Sequence, residues 1–212
     1  MSAPPPWAQL LALPAEEAAL GLLGSTLVVR DDDGAEVAVR LTEVEAYSGE
    51  LDPGSHAYRG RTERTAPMFR PGGRLYVYFT YGMHWCSNIV CGEDGTASAL
   101  LLRAGQIVRG LDVARARRPA AKSDRDLARG PARLAQALGL TGADSGLELT
   151  VGGRAELEVA EPVTPGQVRT GPRVGVTGPG GDGTVFPWRF WLDGEPTVSD
   201  YRPGVRRTRR GP

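Results

Sequence analysis

The run from Glu36 to Tyr47, EVAVRLTEVEAY, alternates with a period of two, and it constrains the fold more than any other stretch of the chain. Its odd positions are Val37, Val39, Leu41, Glu43, Glu45 and Tyr47. A strand that buries the aliphatic half of that face also turns two carboxylates inward, unless a bulge moves one of them away. A carboxylate on an apolar face is costly unless it is paired, so Glu43 and Glu45 are either salt-bridged or working. Read alone, Glu45 suits a structural ion pair as well as it suits a catalytic base.

Other elements group around this strand. Thr26–Arg30 reads as its partner across the Asp31-Asp32-Asp33-Gly34 turn. A short helix is expected at 15–23, opened by Pro14 and closed by Gly24. The run RLYVYFTY at 74–81 is a strong strand, with further strands expected at 85–90 and 97–103. Helices are expected at 107–117 and 131–138, and short strands at 147–151, 156–160, 173–177 and 188–192. These elements alternate without a βαβ rhythm. The expected fold is therefore α+β, a single domain over 13–203 between a flexible lead at 1–12 and a basic tail at 204–212. Residues 48–73 form a long Gly-, Pro- and Arg-rich loop, which in a compact domain is more often functional than idle.

Composition narrows the class. With 212 residues, 41% hydrophobic, the chain can bury a real core, and 29 Gly with 17 Pro foretell many turns. No apolar run approaches the roughly 20 residues that span a bilayer, and no secretory signal is visible. Cys86 and Cys91 are too few for a disulfide framework or a zinc signature. The expectation is a cytoplasmic protein, nucleoid-associated if bacterial, with no metal or other cofactor.

Net charge is zero, yet its layout is uneven. All basic residues but Lys122 are arginines. Residues 59–74 carry five arginines against Glu63, and 101–135 carry eight arginines and Lys122 against three acids. Such stretches present either a face suited to phosphates or an ordinary solvated surface.

Familiar catalytic patterns are absent: no G-x-S-x-G, Walker A or H-E-x-x-H occurs. The GPGGDG run at 178–183 makes a poor phosphate cradle, because Pro179 lacks an amide and no helix clearly follows. What remains is polar and aromatic. Tyr76 and Tyr78 share a strand face as core or pocket tyrosines, and His56 lies in the long loop as a cap or a ligand contact.

The ordered segments Glu43-Val-Glu-Ala-Tyr47, His56-Ala-Tyr-Arg-Gly-Arg61, Met68-Phe69, Tyr76-Val-Tyr-Phe-Thr-Tyr-Gly-Met83, Asn88 and Leu100-Leu-Leu-Arg103 resemble the alkylpurine (3-methyladenine) DNA glycosylases of the mammalian type. Gly130-Pro-Ala-Arg-Leu134, Pro172-Arg-Val-Gly-Val176 and Pro187-Trp-Arg-Phe-Trp191 extend the resemblance over roughly residues 15–202. It implies an α+β domain on a curved, mainly antiparallel sheet flanked by helices and long loops. The stretch 178–186, GPGGDGTVF, departs from the Glu-Trp pair that many relatives carry.

By that resemblance Glu45 is the carboxylate that activates water and Arg103 helps to hold the water. Tyr47, His56 and Tyr78 wall the base pocket, and Asn88 crowds the amino group of normal guanine. Tyr81, with Met83 at the same tip, is the wedge that fills the duplex once a nucleotide has left it. The implied partner is double-stranded DNA containing damaged purines, met by a monomer. Strand nicking through a Schiff base needs an amine, and Lys122 lies away from these segments, so a monofunctional enzyme is expected. A binding module without catalysis and a free-nucleoside hydrolase are the rival readings.

Overall fold

The computed structural model describes residues 4–80 and 82–205. Tyr81 and the basic tail beyond residue 205 lie outside the described residues. Among these, strands β1 (Thr26–Arg30), β2 (Glu36–Tyr47), β3 (Arg74–Thr80), β4 (His84–Val90), β5 (Ala99–Arg109), β6 (Ala155–Glu158), β7 (Val168–Gly171) and β8 (Arg189–Leu192) form one sheet. Every named pairing is antiparallel, and the order β3-β4-β5-β2-β1-β6 is joined at β2 by β8 and then β7. With helices α1 (Ala15–Leu22), α2 (Leu111–Arg117) and α3 (Pro131–Leu138), this is the α+β architecture expected.

β2 is the hinge of the sheet. Its first half pairs with β1 as far as Arg40, and beyond Thr42 it pairs with β8 from Glu43 to Glu45. Where it changes partner its register against β5 breaks twice, once passing over Thr42 and once over Arg103. Each break is a one-residue bulge that inverts the alternation of its own strand. Val37, Val39 and Leu41 face the aliphatic core before the first bulge, and Val44 and Ala46 face it afterwards. Glu43, Glu45 and Tyr47 are thereby carried to the opposite face. The strict period of two predicted them on the apolar side, and the bulge at Thr42 corrects that.

The core lies between the other face of the sheet and the helices. α1 buries Ala15, Ala18, Ala19 and Leu22, and α3 buries Leu134, Ala135, Ala137 and Leu138, each a single helical stripe. They pack with Leu27, Leu75, Ile89, Leu100 and Leu102 of the strands.

Four of the expected elements are corrected. The strand expected at 97–103 runs to Arg109, and the helix expected from 107 begins at Leu111. Gly110 separates them at φ 72°, where any Cβ would strike the Glu36 carbonyl. Residues 147–151 form only an isolated bridge from Glu148 to Arg74 before a turn. The strand expected at 173–177 is a turn at Val174-Gly175, while Val168–Gly171 pairs with β8 instead. In the expected lead, Leu10–Ala12 forms a 3-10 turn that buries Leu11 and offers its carbonyl to the Gly92 amide.

Candidate active site

The sheet sets one row of residues side by side across four strands. Tyr76 of β3 is opposite Asn88 of β4, Asn88 is opposite Leu101 of β5, and Leu101 is opposite Glu45 of β2. Directly opposed residues share a face, so this row floors a single depression. A cavity of about 510 Å³ opens above it, within the roughly 300–1,000 Å³ usual for small-molecule sites. Glu45, Tyr47, His56, Tyr78, Asn88 and Arg103, far apart in sequence, all line it.

Glu45 is fully buried at the inner end. Its Oε1 accepts the Val174 amide at 2.7 Å and lies 3.4 Å from Arg103 Nη1. Its Oε2 accepts the Tyr47 hydroxyl at 2.8 Å. Among the described residues only donors meet this group. A carboxylate offers about four acceptor sites, and among the described residues Oε2 has one partner, which leaves it room to accept from a water.

Arg103 is held from behind. Its Nε donates to Glu43 Oε1 at 2.9 Å, and Glu43 also takes Arg189 Nε at 2.7 Å and the Ser199 amide at 2.7 Å. Glu43 does not line the cavity; it is a buried anchor whose two guanidinium partners compensate its charge. Burial opposes the charge of Arg103, but Glu45 and Glu43 outweigh it and keep its pKa above the ordinary value. Arg103 therefore stays a cation beside Glu45.

The walls are aromatic. Tyr76 and Tyr78 lie with ring centroids 5.6 Å apart, and the His56 ring stands edge-on to Tyr78 at 4.5 Å. His56 Nδ1 is 3.2 Å from the Tyr76 hydroxyl. His56 is exposed at the rim, yet desolvation of its packed face, helped by Arg64, lowers its pKa to about 4. Burial raises both Tyr47 and Tyr78, with the charge of Glu45 adding to it, so both remain phenols. Asn88 donates from Nδ2 to the Tyr76 carbonyl at 2.9 Å, which fixes its amide in the floor. Met83 is 69% exposed on the β3–β4 turn and does not line the cavity.

The charge layout resolves differently from the reading of the sequence. Much of the 101–135 stretch is neutralised within the fold: Arg109 pairs with Glu36 and Glu158, Arg115 with Asp112 and Asp124, and Arg117 with Asp31. The loop flanking the cavity differs. Arg59, Arg61, Arg64 and Arg70 are exposed, and among the described residues none has a carboxylate at ion-pair distance. Arg64 lies 5.4 Å from the centre of the Tyr78 ring.

Comparison with known proteins agrees with this arrangement. The sequence profile of the methylpurine-DNA glycosylase family matches residues 9–196. The chain belongs to the methylpurine-DNA glycosylase family. A protein of Streptomyces avermitilis is 53% identical to this family member over 204 residues, covering 95% of this chain and 94% of its own. One of Leifsonia xyli is 52% identical, with 88% and 87% covered, and one of Nocardia farcinica is 50% identical, with 89% and 88% covered. All three bear the name "Putative 3-methyladenine DNA glycosylase".

Sequence reasoning missed two contributors to the site of this methylpurine-DNA glycosylase family member. The Val174 donor is a backbone amide, which no residue type encodes. Asp52 and Arg173 form a bidentate buried pair beneath Tyr47 across 121 positions of sequence. The Pro172-Arg-Val-Gly-Val176 segment was the available signal, but nothing in it named a partner.

Proposed function

We propose that this glycosylase removes alkylated purines such as 3-methyladenine from duplex DNA, with Glu45 activating the water that attacks the sugar C1′. The observation that carries the reading is the setting of Glu45: a buried carboxylate at the inner end of an aromatic cavity, held by three donors, with acceptor capacity left on Oε2.

C1′ is out of reach inside a stacked duplex, so the damaged nucleotide must be extruded. Unstacking costs a few kcal/mol, less for a damaged pair. A purine nucleotide alkylated at ring nitrogen N3 or N7 is cationic, and the electron-rich faces of Tyr47, Tyr76 and Tyr78 favour it over neutral bases by a cation–π contribution of about 0.5–2 kcal/mol. Asn88, fixed in the floor by Tyr76, restricts what an exocyclic amino group can fit. Alkylation also makes the base a good leaving group, so a single carboxylate suffices. Glu45 orients the water, accepts its proton and offsets charge developing on the sugar, while Arg103 keeps the pair aligned.

The exposed arginines at 59–70 would meet phosphates beside the cavity mouth, a provision that a free nucleoside does not require. The wedge role falls to Tyr81 by resemblance alone; Met83, two positions further in sequence, is exposed. Lys122, the only lysine of the chain, is exposed and does not line the cavity. The product is then an abasic site on an unbroken strand, and a monomer suffices for the reaction.

Base release from a methylated duplex, run beside the free methylated nucleoside and beside Glu45→Gln, tests the reading. Release from duplex that Glu45→Gln abolishes supports it. Equal release by Glu45→Gln, or a preference for the free nucleoside, overturns it.

A further inference from the structure

Two loops meet over Glu45, and the contact between them is made by a residue that touches neither the cavity nor solvent. The side chain of Arg173 is wholly buried. Its Nη1 donates to Asp52 Oδ2 at 2.6 Å and to the Ala46 carbonyl at 3.0 Å. Its Nη2 donates to Asp52 Oδ1 at 2.6 Å and to the Gly180 carbonyl at 2.7 Å, which Nε also reaches at 3.2 Å. All five N–H donors of the guanidinium are thus engaged. The same group lies 4.5 Å from the centre of the Tyr47 ring.

One side chain therefore joins the end of β2, the loop that follows it, and the GPGG turn that precedes β8. Asp52 completes the joint by accepting the Gly54 amide at 2.8 Å. The loops also touch through glycines. A Cβ on Gly180 would collide with the Gly54 backbone, and a Cβ on Gly54 would stand 2.7 Å from Arg173 Nη2. The residue after Arg173 is Val174, whose amide is the donor on Glu45 Oε1.

We propose that Arg173, with Asp52 and the Gly54–Gly180 contact, is a positioning latch that holds the Val174 amide and the Tyr47 ring against Glu45. This rests on the reading of Glu45 as the water-activating carboxylate. A buried ion pair is weak evidence for stability in itself, since apolar residues often replace one without loss. Its planar, bidentate geometry is what a positioning role needs, and lysine supplies the charge without that geometry. The glycine-rich turn gains a purpose on this account: it lets two backbones approach closely enough for one guanidinium to grip both.

The test compares Arg173→Lys, Gly180→Ala and Glu45→Gln with the native enzyme. Gly180→Ala leaves every charge in place and carries the test if Arg173→Lys does not fold. Single-turnover base release should fall by about 10- to 100-fold in the latch variants, the scale on which a small misplacement acts. Affinity for a duplex holding a stable abasic-site analogue should stay within about three-fold, because the latch meets no DNA. The proton resonance of the Val174 amide, expected downfield for a short bond to a carboxylate, should move upfield both in Gly180→Ala and in Glu45→Gln.

Latch variants that keep the native rate while Glu45→Gln is inactive overturn the latch alone. So does a rate that falls together with DNA affinity while the Val174 resonance stays put, which marks a merely structural pair. Full activity in Glu45→Gln overturns the reading of the carboxylate and the latch with it.

Discussion

Tyr47 donates its hydroxyl to Glu45 Oε2 at 2.8 Å from two positions further along the same strand. Residues i and i+2 of a strand share a face, so the wall of the cavity and its carboxylate are set by a single stretch of backbone. The phenol is both a surface against which a base can stack and a donor that orients the group beneath it. Glu45→Gln is the informative substitution here. Its carbonyl oxygen can keep the Val174 amide while its NH₂ turns to the Tyr47 oxygen, so the fold should survive without the base. Single-turnover release should fall by about 10²–10⁴, the usual contribution of a general base, with affinity for abasic-analogue duplex retained.

Arg103→Lys should cost less in binding than in rate. The lysine keeps a positive charge near Glu45 but cannot hold Glu43 and Glu45 from one planar group. A reduction of about 10-fold or more in single-turnover rate, with duplex affinity unchanged, is the expected result.

The exposed arginines predict a salt dependence with an address. Replacing Arg61, Arg64 and Arg70 by alanine should weaken duplex binding and flatten the plot of log affinity against log salt. The slope should change by about 0.9 for each arginine that meets a phosphate. Arg115→Ala is the control, because its partners Asp112 and Asp124 already occupy its charge. Titration of a fluorescent duplex between low and moderate salt reads both.

His56 should stay neutral through the physiological range and protonate only near pH 4. The unfolded chain takes up that proton near the ordinary value of 6.5, so between these limits the unfolded state binds more protons. The contribution of His56 to stability is thus present above about pH 6.5 and is lost as the pH falls toward 4. A proton NMR titration of the ring should give the low midpoint. Urea unfolding of His56→Gln should show a shallower loss of stability over the same window.

Leu102 is fully buried in the core on β5, one position before Arg103. Leu102→Ala should lower stability by about 2–5 kcal/mol in urea unfolding, the range for cavity-forming substitutions. Because Leu102 faces away from the site, base release well below the melting temperature should be preserved.

Much of this was readable from the chain. β2 begins and ends as its alternation predicts, and Pro131 and Gly139 bracket α3. Glu45, Tyr47, His56, Tyr78, Asn88 and Arg103 do meet around one cavity. What stayed hidden depends on distance or on backbone. The bulges at Thr42 and Arg103 are settled by partners that join β2 from remote segments, so period alone carried Glu43 and Glu45 to the wrong face. Leu147 and Leu149 alternate like a strand but find only a single bridge opposite them. The arginines of 101–135 left a phosphate face and an ordinary solvated surface both open, because their acids, such as Glu36, Asp31 and Glu158, lie elsewhere in sequence.

The change of partner in the middle of β2 makes the enzyme sensitive to counting. A loop that gains or loses a residue need not invert any side chain beyond it, whereas a strand that does so inverts them all. An in-frame deletion of the Val44 codon would shift the parity of the strand after it, turning Glu45 and Tyr47 toward the hydrocarbon core and Ala46 toward the cleft. Strand length between Glu43 and Tyr47 should therefore be the dimension along which this scaffold cannot drift.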